Sequence, residues 1–356
     1  MNREYLAVLA LPLLGFLSTS VSAHHSFATH YDASNIVEVS GVLNSIELRN
    51  PHSFFMVNVR SGEGLVENWE VEAHAVGLLR REGISDATFL VGDVVNISGP
   101  KGRRKDKNLL FGANLQAADG TVFHTINALT RGSKDRISDA RSGVTGLDRL
   151  AGRYLGTTRG GQRIADTPMP LTDAGMDARA KFNVHDTPGM NCIAPNLPSI
   201  FYAPYLFDIR VDGDQVVLHH EYYDVERPFV LGVSAQPTSG VSEYGYRSGR
   251  FEENTLIVDS SGFSAMLAGL AGNLDANGNG ADIPSSDQKR IVERYSLNAD
   301  GSELAISYIV EDSVYLREPY TDTLVYYRVS AETPFYDFPC DKDISLRSTL
   351  NAQLPD

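Results

Sequence analysis

The sequence predicts an all-β protein, a small five-stranded barrel followed by a larger antiparallel barrel or sandwich. Three observations carry that expectation. Short runs rich in Val, Ile, Phe and Tyr recur along most of the chain, each closed by turn residues. Between residues 36 and 122 they follow the order three strands, a short helix, two strands, which is that of an OB-like barrel. Beyond residue 205 they return at about 10-residue spacing, as in an antiparallel barrel or sandwich.

The elements are justified in chain order. Arg3 precedes an apolar run over residues 6–17, and small residues ending in Val21-Ser22-Ala23 follow it. This is the pattern of a secretory signal over residues 1–23, with a mature chain that starts at His24. Residues 24–128 form the OB-like domain. Its strands are expected at 36–46, alternating around Val37, Val39 and Val42, then at 54–59, 66–71, 90–97 and 109–115, with a helix at 75–81. Asn50-Pro51-His52 is then the loop between the first two strands, and residues 101–107 join the last two. Residues 129–148 are polar and carry Gly132, Ser133, Ser138, Ser142 and Gly143, which reads as a linker. The second domain, 149–356, opens with a helix within 171–182, capped by Thr172 or Asp173. Strands are expected at 205–211, 215–223, 229–233, 255–258, 291–297, 304–310 and 322–328.

Composition narrows the function. The chain of 356 residues has 31 basic and 45 acidic side chains, a formal charge of −14. That balance argues against a nucleic-acid partner, which needs a basic surface. No apolar run is long enough for a stable membrane span. The leader predicts a periplasmic or secreted protein. In that oxidising compartment the two cysteines, Cys192 and Cys340, predict one disulfide.

Several local signatures together are similar to a known pattern. His24-His25-Ser26-Phe27, Tyr31-Asp32, Gly41 and Asn50-Pro51-His52 resemble an uncharacterised family of exported bacterial proteins, over roughly residues 24–125. The second domain resembles an uncharacterised companion domain. The residues behind that likeness are 192–198, Pro204-Tyr205-Leu206-Phe207, Ser248-Gly249-Arg250-Phe251, 254–259, Gly262-Phe263, Glu293-Arg294-Tyr295 and Cys340. The resemblance implies an OB-like barrel fused to a calycin-like, or lipocalin-like, barrel, and implies no activity. The chain departs from the companion pattern at residues 275–287, which lack a histidine.

The histidines of the first domain suggest metal chemistry. A mature N-terminal His24 would chelate through its α-amine and its ring. His52 is the natural third nitrogen ligand, with His25 and His74 as alternatives. Such nitrogen sites suit copper(II), and the amine loses its proton near neutral pH. Asp275, Asn277 and Asn279, with Gly280, match the front of a calcium loop. Position 12 is Ser286 rather than Glu, so a plain Gly/Asn-rich loop is the favoured reading and calcium is disfavoured. The basic run Lys101, Arg103, Arg104, Lys105 and Lys107 reads as a solvated hairpin tip.

In the second domain His219, His220, Glu221, Tyr222, Tyr223 and Asp224 are dense in titratable groups. On a strand, His219, Glu221 and Tyr223 would share one face and His220, Tyr222 and Asp224 the other. A His–carboxylate pair lining the barrel, joined by Glu293, would allow acid–base catalysis. No nucleophile elbow, Walker loop, dinucleotide fingerprint or His-Glu-x-x-His accompanies it, so whether the chain is an enzyme stays open. The leading expectation is a periplasmic binding protein with copper in its first domain. Its second barrel would take a small-molecule ligand or an envelope protein. An enzyme of the second barrel and a structural envelope protein are the alternatives.

Overall fold

The computed structural model describes residues 30–60, 62, 64–125, 136–138, 143–156, 168–183, 186, 188–233, 240–274 and 280–351. It is an all-β chain with a closed five-stranded barrel and a nearly closed nine-stranded antiparallel barrel. Predicted features within 1–29, most of the 129–148 linker, and the loop at 275–279 lie outside the described residues.

The first barrel contains β1 (Tyr31–Glu47), β2 (Ser53–Arg60), β3 (Val66–Ala73), α1 (Val76–Arg81), β4 (Val94–Gly102) and β5 (Leu109–Phe111), followed by β6 (Asn114–Gln116) and β7 (Val122–His124). The strand order β1-β2-β3-β5-β4 closes because β1 pairs with both β2 and β4. β1 can do this because it is long and irregular. Its register shifts between Asp32 and Ile36 and again between Leu43 and Ser45, and such shifts let one strand bend around a barrel. At the β4–β5 crossing a Cβ on Gly99 would lie 1.7 Å from the Phe111 carbonyl oxygen, so only glycine allows that backbone approach. Alternation sends Phe55, Val57, Val71, Val95, Ile97 and Leu115 inward to form the core.

The second barrel contains β8 (Gly152–Gly156), α2 (Asp173–Ala180), β9 (Leu206–Asp212), β10 (Gln215–His220), β11 (Val225–Val230), β12 (Tyr246–Glu252), β13 (Thr255–Ser261), β14 (Gly272–Leu274), β15 (Gly280–Asp282), β16 (Arg290–Leu297), β17 (Glu303–Glu311) and β18 (Tyr320–Val329). The nine-stranded order is β11-β10-β9-β8-β18-β17-β16-β13-β12. Thr172 caps α2 by accepting from Gly175 N at 3.1 Å. β14 and β15 form a separate hairpin. Among the described residues the main-chain pairing between the β11 and β12 edges is the bridge of Leu231 with Gly249, where Gly232 N donates to Gly249 O at 2.9 Å. Pro228 in β11 has no N–H to offer a ladder there, and the Phe229 ring packs where a Cβ on Gly249 would be, 2.2 Å away.

After β18 the chain returns to the first barrel. Asp341 N donates to Asn50 O at 2.8 Å. The helix α3 (Lys342–Leu350) then lays Arg347 over the Phe54 ring, 4.3 Å from its centroid, and beside Glu47 and Glu70 at 3.1 and 3.2 Å. The predicted disulfide, Cys192–Cys340, anchors this strap to the second barrel. The basic loop differs from a solvated tip. Arg104 donates to Leu350 O at 2.7 Å and Lys107 to Asn351 Oδ1 at 3.0 Å, so it grips the end of the strap. Among the described residues no helix is long and apolar enough to cross a membrane.

Candidate functional site

The polar centre of the second barrel follows from strand alternation. In β11 Val225, Arg227 and Phe229 are buried while Glu226, Pro228 and Val230 are exposed. In β16 Ile291, Glu293 and Tyr295 are buried. The apolar residues two positions away need the core, so Arg227 and Glu293 are carried inward with them. Both are fully inaccessible to solvent. Arg227 Nη2 donates to Glu293 Oε1 at 2.6 Å and to Oε2 at 2.8 Å, and Tyr295 OH also donates to Oε2. Burial works against the Arg227 charge, but Glu293 and Tyr295 more than offset it and the pKa rises. Burial, and then the Glu293 charge, pushes the Tyr295 hydroxyl well up, so it stays a donor.

His220 shares this interior. Its ring lies 4.6 Å from Phe207 and 5.8 Å from Phe201. Burial, helped by the Arg227 charge, holds its pKa well below the usual histidine value, which makes the ring neutral. Arg247 comes from β12 at the seam. It donates to the carbonyls of Pro228 at 3.1 Å, Gly245 at 3.0 Å and Tyr244 at 3.3 Å, bridging β11 and β12 with a side chain where the main-chain ladder is missing. Burial and then Arg227 lower its pKa to about 10. Outside it is a groove of ≈ 250 Å³ lined by Pro228, Phe229, Val230, Val233, Gly245, Tyr246 and Arg247. Further round the barrel Tyr308 is in register with both Glu293 and Asp322. Tyr202 OH joins Tyr308 OH and Asp322 Oδ2, each at 2.6 Å.

The predicted acid–base cluster does not assemble on this strand. β10 ends at His220, and Tyr223 and Asp224 have positive φ of 61° and 54°, a left-handed turn that breaks period-two alternation. His219 points outward, with Nε2 2.6 Å from Asp224 Oδ1 and its ring against Phe335. Glu221 is buried between the two barrels. It accepts from Arg81, from Leu206 N at 2.9 Å and from Tyr336 N at 2.8 Å. Only His220 and Glu293 of the named set face the interior. Arg227, Arg247 and Tyr295 were not singled out as site residues from the sequence. The period-two burial around Val225 and Phe229 was the available signal for Arg227.

In the first barrel His52 and His74 immediately follow the last β2–β3 pair, Ser53 with Ala73. His52 Nδ1 lies 2.9 Å from Glu72 Oε1, and Tyr31 OH donates to Glu72 Oε2 at 2.6 Å. Burial and then Glu72 push the Tyr31 hydroxyl well up. The His74 ring packs edge-on against Phe111 at 5.0 Å. His24 and His25 lie outside the described residues, as do Asp275, Asn277 and Asn279. Among the described residues no three His, Cys, Asp or Glu side chains form a group that could hold a metal ion. The calcium-type loop is flanked by the paired strands β14 and β15, whereas an EF-hand loop lies between two helices.

Residues 13–110 match the model of a family of unknown function, DUF6152. The match covers the N-terminal part of the chain and is consistent with an uncharacterised module joined to a second domain. No curated protein matches the chain. Solved structures similar to it include one described as the REP1-NXSQ fatty acid transporter, at 14% identity and a TM-score of 0.27, covering 52% of this chain and 100% of that one. Another is apo lipid binding protein 8 of Caenorhabditis elegans, at 9% identity and a TM-score of 0.26, covering 52% of this chain and 99% of that one.

Proposed function

We propose that this chain is an exported binding protein whose second barrel takes a small molecule at the β11–β12 seam. The observation that carries the reading is the seam itself. The wall is joined there by one bridge and by the Arg247 side chain, and a groove of ≈ 250 Å³ opens beside them. Ligand sites combine apolar walls with a few polar groups. Phe229, Val230, Val233 and Tyr246 supply the walls, and Arg247 the polar group. The signal-like residues 1–23 and the Cys192–Cys340 disulfide support export. Val233 is 56% exposed, so Val233→Trp can fill the groove without loading the core. Native mass spectrometry of the mature protein against a panel of organic acids, amines and neutral lipids tests the reading. Saturable binding that Val233→Trp abolishes is the expected result. No saturable binding by any class would overturn it.

A second reading, copper in the first barrel, is favoured by Glu72. Glu72 Oε1 stands 2.9 Å from His52 Nδ1, where carboxylates stand behind metal-binding histidines, and that placement leaves Nε2 to ligate. Tyr31 ties the chain to that same carboxylate seven residues after His24. Seven residues span at most ~25 Å, enough for the His24 amine to approach His52, with His25 or His74 as further nitrogen donors. Copper(II) titration followed by EPR should show a nitrogen-rich type-2 signal in a chain that begins at His24. It should weaken at least tenfold in His52→Ala. A different mature N-terminus, or a signal unchanged by His52→Ala, would remove this reading.

A further inference from the structure

Several buried polar atoms of the barrel interior behind the seam have no hydrogen-bond partner among the described residues, His220 Nε2 among them. Arg227 uses Nη2 on Glu293, but its Nε and Nη1 have no partner among the described residues, although the side chain is fully inaccessible. Arg247 Nε and Ser260 Oγ likewise have none. Ser260 pairs with Arg247 across β12–β13 and with Ile291 across β13–β16, two ladder positions from the Val258–Glu293 pair. Four polar atoms capable of donating are thus unpartnered in this part of the barrel.

Other buried cations of this barrel are satisfied differently. Arg328 donates to Gly301 O, Ala151 O, Arg149 O and Tyr154 OH at 2.6–3.0 Å. Lys289 donates to Asn196 Oδ1, Leu197 O and Gly269 O at 2.6–3.1 Å. Burying a donor without an acceptor is costly, and of the groups left so here Arg247 lines the groove. The charges are uneven as well. Two guanidiniums, Arg227 and Arg247, share one carboxylate, Glu293, because Arg247 bonds only to main-chain carbonyls. One positive charge is left over.

We infer that the seam binds a small organic monoanion, its carboxylate facing Arg247 and its apolar body against Phe229, Val230 and Val233. This inference rests on the small-molecule reading above and adds the ligand's charge. An anion in the groove supplies Arg247 with an acceptor and with the missing negative charge, and a guanidinium is well matched to a carboxylate. The groove is smaller than the ~300–1,000 Å³ typical of drug-sized ligands, which favours a short acid.

The test compares octanoate with octanamide, its uncharged counterpart, by calorimetric titration of the mature protein at low salt. Octanoate is expected to bind at least tenfold more tightly. Arg247→Gln should reduce octanoate affinity at least tenfold and octanamide affinity by much less, so that the difference between the two probes collapses. Arg247→Met serves as a second variant, paired with near-UV circular dichroism to confirm that the barrel still packs. Equal affinity for the two probes would overturn the inference while leaving the small-molecule reading standing. Failure of octanoate to bind, or binding unaffected by Arg247→Gln, would overturn it too.

Discussion

Arg81 on the helix of the first barrel and Glu221 at the end of β10 form an ion pair between the two barrels. The side chains are only 7% and 1% exposed. Glu221 also accepts two main-chain N–H groups, from Leu206 and Tyr336. One carboxylate therefore joins the first barrel, the second barrel and the strap that runs back to α3. Around it Ala75 and Leu78 of the first barrel pack with Ala203, Tyr205 and Phe338.

Removing half of that pair is expected to be costly. Glu221→Ala strands a buried guanidinium and two main-chain donors, and should lower stability by about 3–5 kcal/mol. Replacing both partners, Arg81→Met with Glu221→Met, should recover much of the loss, since the charges no longer need solvation. Urea denaturation of the two single variants and the double variant gives the coupling directly. Simple additivity would show that the pair does not act as a unit.

The disulfide should stabilise the strap more than either barrel. Cys192 and Cys340 are 148 residues apart, and closing a loop of that length is worth about 2–5 kcal/mol. Cys192→Ser with Cys340→Ser should lower stability by that amount. Hydrogen exchange is expected to rise first at residues 341–350, where the strap meets Asn50 and Arg347 meets Glu70. Faster exchange spread evenly over both barrels would contradict a local role for the bridge.

Much of this architecture was legible in the sequence, for a physical reason. The long strands bury one face, so their apolar residues alternate, as in residues 304–310. The cap at Thr172 was legible because a side-chain acceptor before a helix has a fixed job. β8 and β12 were not foreseen. β8 is five residues that begin and end with glycine, and β12 mixes Arg247, Gly249 and Arg250 into its faces. Glu221 was misplaced because its neighbours Tyr223 and Asp224 turn left-handed, which tertiary contacts decide. The Arg227–Glu293 pair spans 66 residues, and no local motif marks such a contact.

Stability should fall in mild acid because of His220. Its folded pKa lies below the ordinary value, owing first to burial and then to the Arg227 charge. The unfolded chain therefore binds the proton more readily. The contribution is complete above about pH 6.5 and is lost as pH falls from there toward the folded pKa, by up to about 1.4 kcal/mol per pH unit. His220→Phe, which keeps an aromatic ring against Phe207 and Phe201, should flatten the stability curve over that window. Chemical denaturation of both proteins between pH 4.5 and 7.5 isolates the effect, and parallel curves would refute it.

The seam should depend on the absence of a side chain at Gly249. A Cβ there would lie 2.2 Å from the Phe229 ring, so the ring has to move if residue 249 is alanine. Phe229 is buried and packs with Leu218 and Leu256 in the main core. Overpacking of this kind costs about 1–3 kcal/mol. The displacement also has a direction, because Phe229 lines the groove as well as the core. Gly249→Ala should therefore do two things: lower the denaturation midpoint and change small-molecule affinity at the seam. Gly213→Ala provides the contrast, since a Cβ there meets nothing within 4 Å although its φ is +58°. It should cost stability through backbone strain alone and leave binding unchanged. If both variants altered binding equally, Phe229 would not be the element that shapes the groove.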